Sequence, residues 1–114
     1  MEHRLHPRIP VDVAMLIYQR GVPVATGRIR NASRGGFLVE TGYEELREYQ
    51  SLEVEFCAIT TPQPVRHRVA AHVCRRGADG VALEVDDLDG RTPPAMSTLV
   101  SVVPQNRPHK EYLV

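Results

Sequence analysis

Residues 51–59 read SLEVEFCAI. Leu52, Val54, Phe56 and Ala58 fall on one phase of a two-residue repeat; Glu53, Glu55 and Cys57 fall on the other. A period of two belongs to a strand with one face in a core and one toward water. The same period recurs on both sides. VRHRVAAHVCRR (65–76) puts Val65, Val69, Ala71 and Val73 on one face and Arg66, Arg68 and His72 on the other. Gly77-Ala78-Asp79-Gly80 reads as a turn, and GVALEVDD (80–87) as the last strand. Upstream, VDVAMLIYQ (11–19) and VPVATGRIRN (22–31) flank Arg20-Gly21 as a hairpin, and GFLVET (36–41) is a third strand. TGYEELREYQ (41–50) reads as a connection and 60–64 as a loop. Strands at this spacing predict a mainly β domain, a small antiparallel barrel or sandwich.

The period changes after residue 91. Thr92 suits a helix cap and Pro93 a first helical position. Met96, Leu99, Val100 and Val103 follow at helical spacing, and Pro104 ends the run. The expected organisation is therefore an N-terminal arm over 1–10, a barrel plus C-terminal helix over 11–104, and a tail over 105–114.

Composition bounds the function. The chain has 114 residues, 42% hydrophobic residues and a formal net charge of zero. That size carries one domain with its own core. Zero net charge gives no argument for nucleic acid or a membrane surface. The distribution is uneven. Residues 1–36 hold six arginines against Glu2 and Asp12, whereas 37–62 hold six glutamates against Arg47. A basic third of this kind could attract a small anion. Cys57 and Cys74 form no CxxC, and buried or half-buried free thiols are expected. No signal peptide opens the chain, and no apolar run nears the roughly 20 residues that span a bilayer. A cytoplasmic protein is expected.

Few residues carry chemistry. His67 and His72 lie five apart in one strand, hence on opposite faces, and no histidine pair has zinc-site spacing. No metal is expected. Ser33 lacks a Gly-x-Ser-x-Gly setting, and Asp86, Asp87 and Asp89 read as a solvated turn. No enzyme signature is present. Two stretches remain. Arg4-Leu-His-Pro-Arg8 places two arginines four apart just before the first strand. Asn31-Ala-Ser33-Arg34-Gly35-Gly36 joins the second and third strands. Alone, the latter is ordinary turn chemistry, with Gly free to take positive φ.

In this order, RxxxR, a hairpin, then NxSxxG feeding a strand, the sequence resembles the PilZ domain family of bacterial cyclic di-GMP receptors. The resemblance runs along nearly the whole chain. It implies a six-stranded antiparallel β-barrel with a short C-terminal α-helix, and no enzymatic activity or cofactor beyond the ligand cyclic di-GMP. It implies that Arg4 and Arg8 grip phosphate and the Hoogsteen edge of guanine. Asn31 and Ser33 would border one guanine, and Gly36 would allow close approach. The chemistry agrees, because an Arg fork suits phosphate and guanine O6/N7. His3, Arg34 and Gly35 are further candidate contacts, and Arg75 and Arg76 are unassigned candidates for extra phosphate contacts. His3 stands where many members carry a third Arg. Asn31 replaces the commoner Asp, giving up a charged, two-oxygen acceptor.

A stand-alone receptor is expected, relaying to an unidentified protein partner, without DNA, RNA or membrane insertion, as a monomer or weak homodimer. The alternative is an adaptor with weak or no nucleotide binding, working through protein contacts. A single-strand nucleic-acid barrel fits poorly, since the chain has only six aromatics for stacking bases.

Overall fold

Alternation along each strand gives one apolar face, and a sheet whose apolar face curls on itself has no open edges. The computed structural model describes residues 8–59, 64–86 and 93–102. Its strands are β1 (Ile9–Gln19), β2 (Val22–Ala32), β3 (Gly36–Glu40), β4 (Ser51–Ile59), β5 (Pro64–Gly77) and β6 (Gly80–Val85), followed by helix α1 (Pro94–Val102). They close an antiparallel barrel in the order β1-β2-β3-β6-β5-β4. This matches the mainly β barrel with one C-terminal helix read from the sequence. β1 begins at Ile9, so Ile9 and Pro10, read as arm, are strand residues paired with Ala32 and Asn31.

The core is built from the inward phase of the strands, except that Val65 at the start of β5, read as an apolar-face residue, is exposed. Ile17, Ile29, Phe37, Val39, Val54 and Val73 are fully buried. Each large apolar side chain removed from water contributes about 1.5–3 kcal/mol. β4 behaves as its alternation requires at Leu52, Val54 and Phe56. Glu55 departs from the solvated face expected of it, being only 7% exposed. Arg68 Nη2 donates to its Oε1 at 2.9 Å, Arg66 Nε lies 3.4 Å from Oε2, and the Arg68 guanidinium lies 3.8 Å over the Tyr18 ring. The Arg68 hydrogen bond holds the Glu55 carboxyl below its ordinary pKa, against its burial.

Two tight turns set the register. Arg20 and Gly21 link β1 to β2, both at positive φ (53° and 78°), the pattern of a two-residue primed hairpin turn. β5 and β6 pair through Gly77 and Gly80, with Gly80 at φ 134°. The 41–50 connection is not helical, and it inserts Leu46 into the core at 1% exposure. Arg76 fixes it by donating from Nη1 to the carbonyls of Glu44 and Leu46 at 2.6 and 2.8 Å. That spends Arg76 on structure. The helix packs on β4 and β5 through Ala95, Met96 and Leu99, all buried. Pro94, not Pro93, is its first residue; Pro93 accepts from the Met96 N–H at 3.0 Å. Thr92, Val103, Pro104 and the 105–114 tail lie outside the described residues.

Candidate functional site

One of the barrel's register shifts falls on the NxSxxG stretch, others lying in β1 and β5. Across β2 and β3, Ile29 pairs with Val39 but Asn31 pairs with Leu38, so Arg30 is an extra residue in β2. Such a bulge breaks the alternation and re-aims side chains. Ile29 and Ala32 are fully buried, whereas Arg30 is exposed and Asn31 half-buried. Arg30 and Asn31 therefore both leave the core side, and Asn31 stands between Pro10 of β1 and Leu38 of β3. Its Oδ1 is buried and accepts no hydrogen bond among the described residues. A buried acceptor left without a donor costs about 1–3 kcal/mol.

The turn that follows is held by its own polar groups. Ser33 N–H donates to the Gly36 carbonyl at 2.8 Å, and Gly35 N–H donates to Ser33 Oγ at 3.2 Å. Val85 N–H donates to the Gly35 carbonyl at 2.9 Å, tying the turn to β6. Ser33 is 5% exposed. Positive φ occurs at Gly21 and Gly80 among the described glycines, so this turn does not depend on left-handed glycine as its composition suggested. Gly36 is required by packing. A Cβ there would meet the Leu83 carbonyl oxygen at 2.3 Å.

The outer face beside Asn31 holds groups that the motif did not disclose. Leu38 and Ala82 pair across β3 and β6. Each lies between core residues, so alternation points each away from the core, and neither belongs to the core cluster. Both are nonetheless buried, at 7% and 4% exposure. A partial signal was in the sequence: Phe37-Leu38-Val39 and Val81-Ala82-Leu83 are unbroken apolar runs, but so is 13–18 in β1. Arg8, half-buried ahead of β1, acts on the Cys74 thiol, so it lies near the β5 part of this face.

On β5 and β6 the same face continues in titratable groups. His72 Nδ1 lies 2.9 Å from Asp86 Oδ1, and His72 Nε2 lies 3.1 Å from Glu84 Oε1. The Asp86 hydrogen bond raises the His72 pKa above 6.5; burial opposes it and Glu84 assists. Asp86 is thus a partner of His72, not only a solvated turn residue. Asp87 and Asp89 lie outside the described residues. Cys74 Sγ approaches Glu84 Oε1 at 3.8 Å, and burial followed by Glu84 raises its pKa while Arg8 and Arg75 lower it. Cys74 is exposed, unlike the expected half-buried thiol; Cys57 is half-buried. His67 sits on the opposite phase, its ring 5.6 Å from Phe56.

Of the residues singled out beforehand, Arg8, Asn31, Ser33, Gly35 and Gly36 share this end of the barrel, with Arg34 exposed on the turn. His3 and Arg4 lie outside the described residues. The basic third is partly neutralised. Asp12 accepts from Arg28 Nε at 2.5 Å and from Arg30 Nη1 at 3.3 Å, and Arg30 also lies 3.7 Å from Glu40. A cleft of about 880 Å³ lies elsewhere: it runs along the β1–β2 turn, the start of β4, Ala70 and Asp86. Among the described residues that line it, Arg20 is the one cation, beside Glu53 and Asp86. None of Arg8, Asn31, Ser33, Gly35 and Gly36 lines it, so the Asn31 face is the better candidate.

A family model described as the PilZ domain matches residues 2–103. A search of the curated proteins gives no match.

Proposed function

The chain belongs to the PilZ domain family, and we propose that it is a receptor that binds cyclic di-GMP on the Arg8–Asn31 face and relays binding to a protein partner. Cyclic di-GMP binding is the family's known role, and PilZ domains are receptor or adaptor domains, not enzymes. The carrying observation is the buried Asn31 Oδ1 without a donor. The Watson–Crick edge of guanine presents N1–H and N2–H₂, donors of the kind that oxygen lacks. The outward, water-poor pair Leu38 and Ala82 lies beside it. Low local polarity strengthens each hydrogen bond made there.

Arg8 supplies the planar fork for a phosphate oxygen pair or for guanine O6 and N7. Arg4 is its companion by family resemblance. Ser33 acts indirectly, since its hydroxyl is engaged in the turn that follows Asn31. Gly36 lets β3 approach β6 and so fixes the turn. No described helix is long and apolar enough to cross a membrane, and a cytosolic setting is part of this reading.

The engaged Ser33 and Gly35 groups favour one second reading, an adaptor with weak nucleotide affinity. Isothermal titration with pure cyclic di-GMP, with GMP as control, tests the two. Saturable binding of cyclic di-GMP over GMP supports the receptor. Silence up to roughly hundreds of micromolar, an affinity of only about 5 kcal/mol, together with partner capture indifferent to nucleotide, supports the adaptor.

A further inference from the structure

Glu84 of β6 pairs directly with His72 of β5, and Cys74, the extra residue of a bulge between Val73 and Arg75, brings its sulfur to 3.8 Å from the same carboxylate. One donor atom from each, an imidazole nitrogen, a sulfur and a carboxylate oxygen, lie within 4.8 Å of one another. We propose that His72, Cys74 and Glu84 form a binding site for one divalent transition-metal ion of the zinc class, with Asp86 orienting the imidazole.

The hydrogen bonds carry the argument. Asp86 Oδ1 lies 2.9 Å from His72 Nδ1, and an ionised carboxylate only accepts. Nδ1 therefore bears the proton, and in the neutral ring Nε2 turns a lone pair toward Glu84 Oε1 at 3.1 Å. Two acceptors face each other, so a cation belongs between them. A proton meets that need in the free chain, in keeping with the raised His72 pKa, and a metal ion in its place would also engage the Cys74 sulfur 3.8 Å from Glu84 Oε1. A metal uses all three. In a tetrahedral zinc site the ligand bonds are about 2.0–2.3 Å, which places donor atoms roughly 3.3–3.7 Å apart. The Nε2–Oε1 and Sγ–Oε1 separations of 3.1 and 3.8 Å lie just below and above that range and all three donors lie within 4.8 Å of one another, so the side chains would adjust by some tenths of an ångström around the ion. The carboxylate–imidazole–metal relay is the usual second-shell arrangement for a histidine ligand. Mixed N, S and O donors favour zinc or cobalt over magnesium or calcium. On binding, Cys74 releases its thiol proton to solvent and becomes a thiolate, which the metal's charge would favour against its burial and Glu84. Three protein donors leave a fourth position open to water or to an added ligand.

Histidine spacing alone could not reveal this group, because its third donor comes from another strand. The test is titration of the untagged, metal-free chain with Co²⁺ and with Zn²⁺ against a chromophoric chelator. The expected result is one ion per chain, a thiolate-to-Co²⁺ charge-transfer band bleached by Zn²⁺ but not by Mg²⁺, and loss of that band in Cys74→Ser. Cys57→Ser retains it. Asp86→Ala lowers affinity by about 10–100-fold while keeping the band at saturation. Cys74 is exposed, so its serine variant keeps the fold, which a thermal melt verifies. Absence of stoichiometric binding, or binding and spectra unchanged in Cys74→Ser, would overturn the proposal.

Discussion

A Cβ added to Gly36 would lie 2.3 Å from the backbone oxygen of Leu83, closer than any unstrained contact. The neighbour is backbone within the β3–β6 ladder and has no side-chain rotamer to yield. Gly36→Ala is therefore expected to destabilise the barrel by about 1–3 kcal/mol, the usual cost of overpacking. Urea unfolding measures it as a lower midpoint at constant slope. Gly42→Ala, with nothing within 4 Å of its Cβ, is the control and should differ little from the parent.

Asn31 separates function from stability. Its Oδ1 makes no hydrogen bond among the described residues, so Asn31→Ala removes an uncompensated acceptor. The expected outcome is unfolding stability equal to or above that of the parent, with cyclic di-GMP affinity lowered about 10-fold or more, as for one lost hydrogen bond. Asn31→Asp should bind the nucleotide more tightly, because a carboxylate offers a charged acceptor to guanine. A drop in stability on Asn31→Ala without a change in binding would assign Asn31 to the fold alone.

Arg8 tests the fork. Arg8→Lys keeps the charge and loses the planar pair of donors. Both Arg8→Lys and Arg8→Ala are expected to weaken binding, the alanine variant by about 10–100-fold, the worth of a charged hydrogen bond of roughly 1.5–3 kcal/mol. Calorimetric titration gives the affinities, and melts on the same samples show whether folding is intact. Equal affinity for parent and lysine variant would mean that charge alone matters at this position.

Acid sensitivity should trace to Glu55. Its pKa in the fold is lowered from the ordinary 4.5, chiefly by Arg68. A carboxylate with a depressed folded pKa stabilises above its unfolded pKa and loses that contribution as pH falls through the folded value. Stability should thus fall as pH drops below 4.5, and Glu55→Gln should flatten this slope. Urea midpoints at neutral pH and at several acidic pH values measure it. An unaltered slope in Glu55→Gln would place the acid sensitivity elsewhere.

The barrel was legible because alternation is a local property, and Leu52, Val54 and Phe56 bury as their spacing demands. The ends of elements were legible where Gly, Pro or a two-residue turn marks them, as at Arg20-Gly21. What escaped depends on register between strands. An extra residue at Arg30 looks like any other strand residue until β3 is laid beside it. Glu55 was read as solvent-facing, yet Arg66 and Arg68 from β5 and Tyr18 from β1 close over it. His72, Cys74 and Glu84 converge only when β5 and β6 pair. At the motif itself the order of residues disclosed the place, but not the division of labour. Ser33 and Gly36 spend themselves on the turn and the packing, whereas Asn31 keeps an acceptor without a donor.

The central claim is that nucleotide binds where Arg8 and Asn31 meet the outer face of β3 and β6. Amide chemical-shift mapping of the ¹⁵N-labelled chain with cyclic di-GMP tests it most directly. Shifts are predicted at the Asn31 side-chain amide, at the backbone amides of Ser33, Gly35 and Leu38, and at their β6 neighbours Ala82 and Val85. They should vanish in Arg8→Ala. Shifts centred instead on Arg20, Gly21 and Gln50 at the large cleft, or no shifts at saturating nucleotide, would contradict the account.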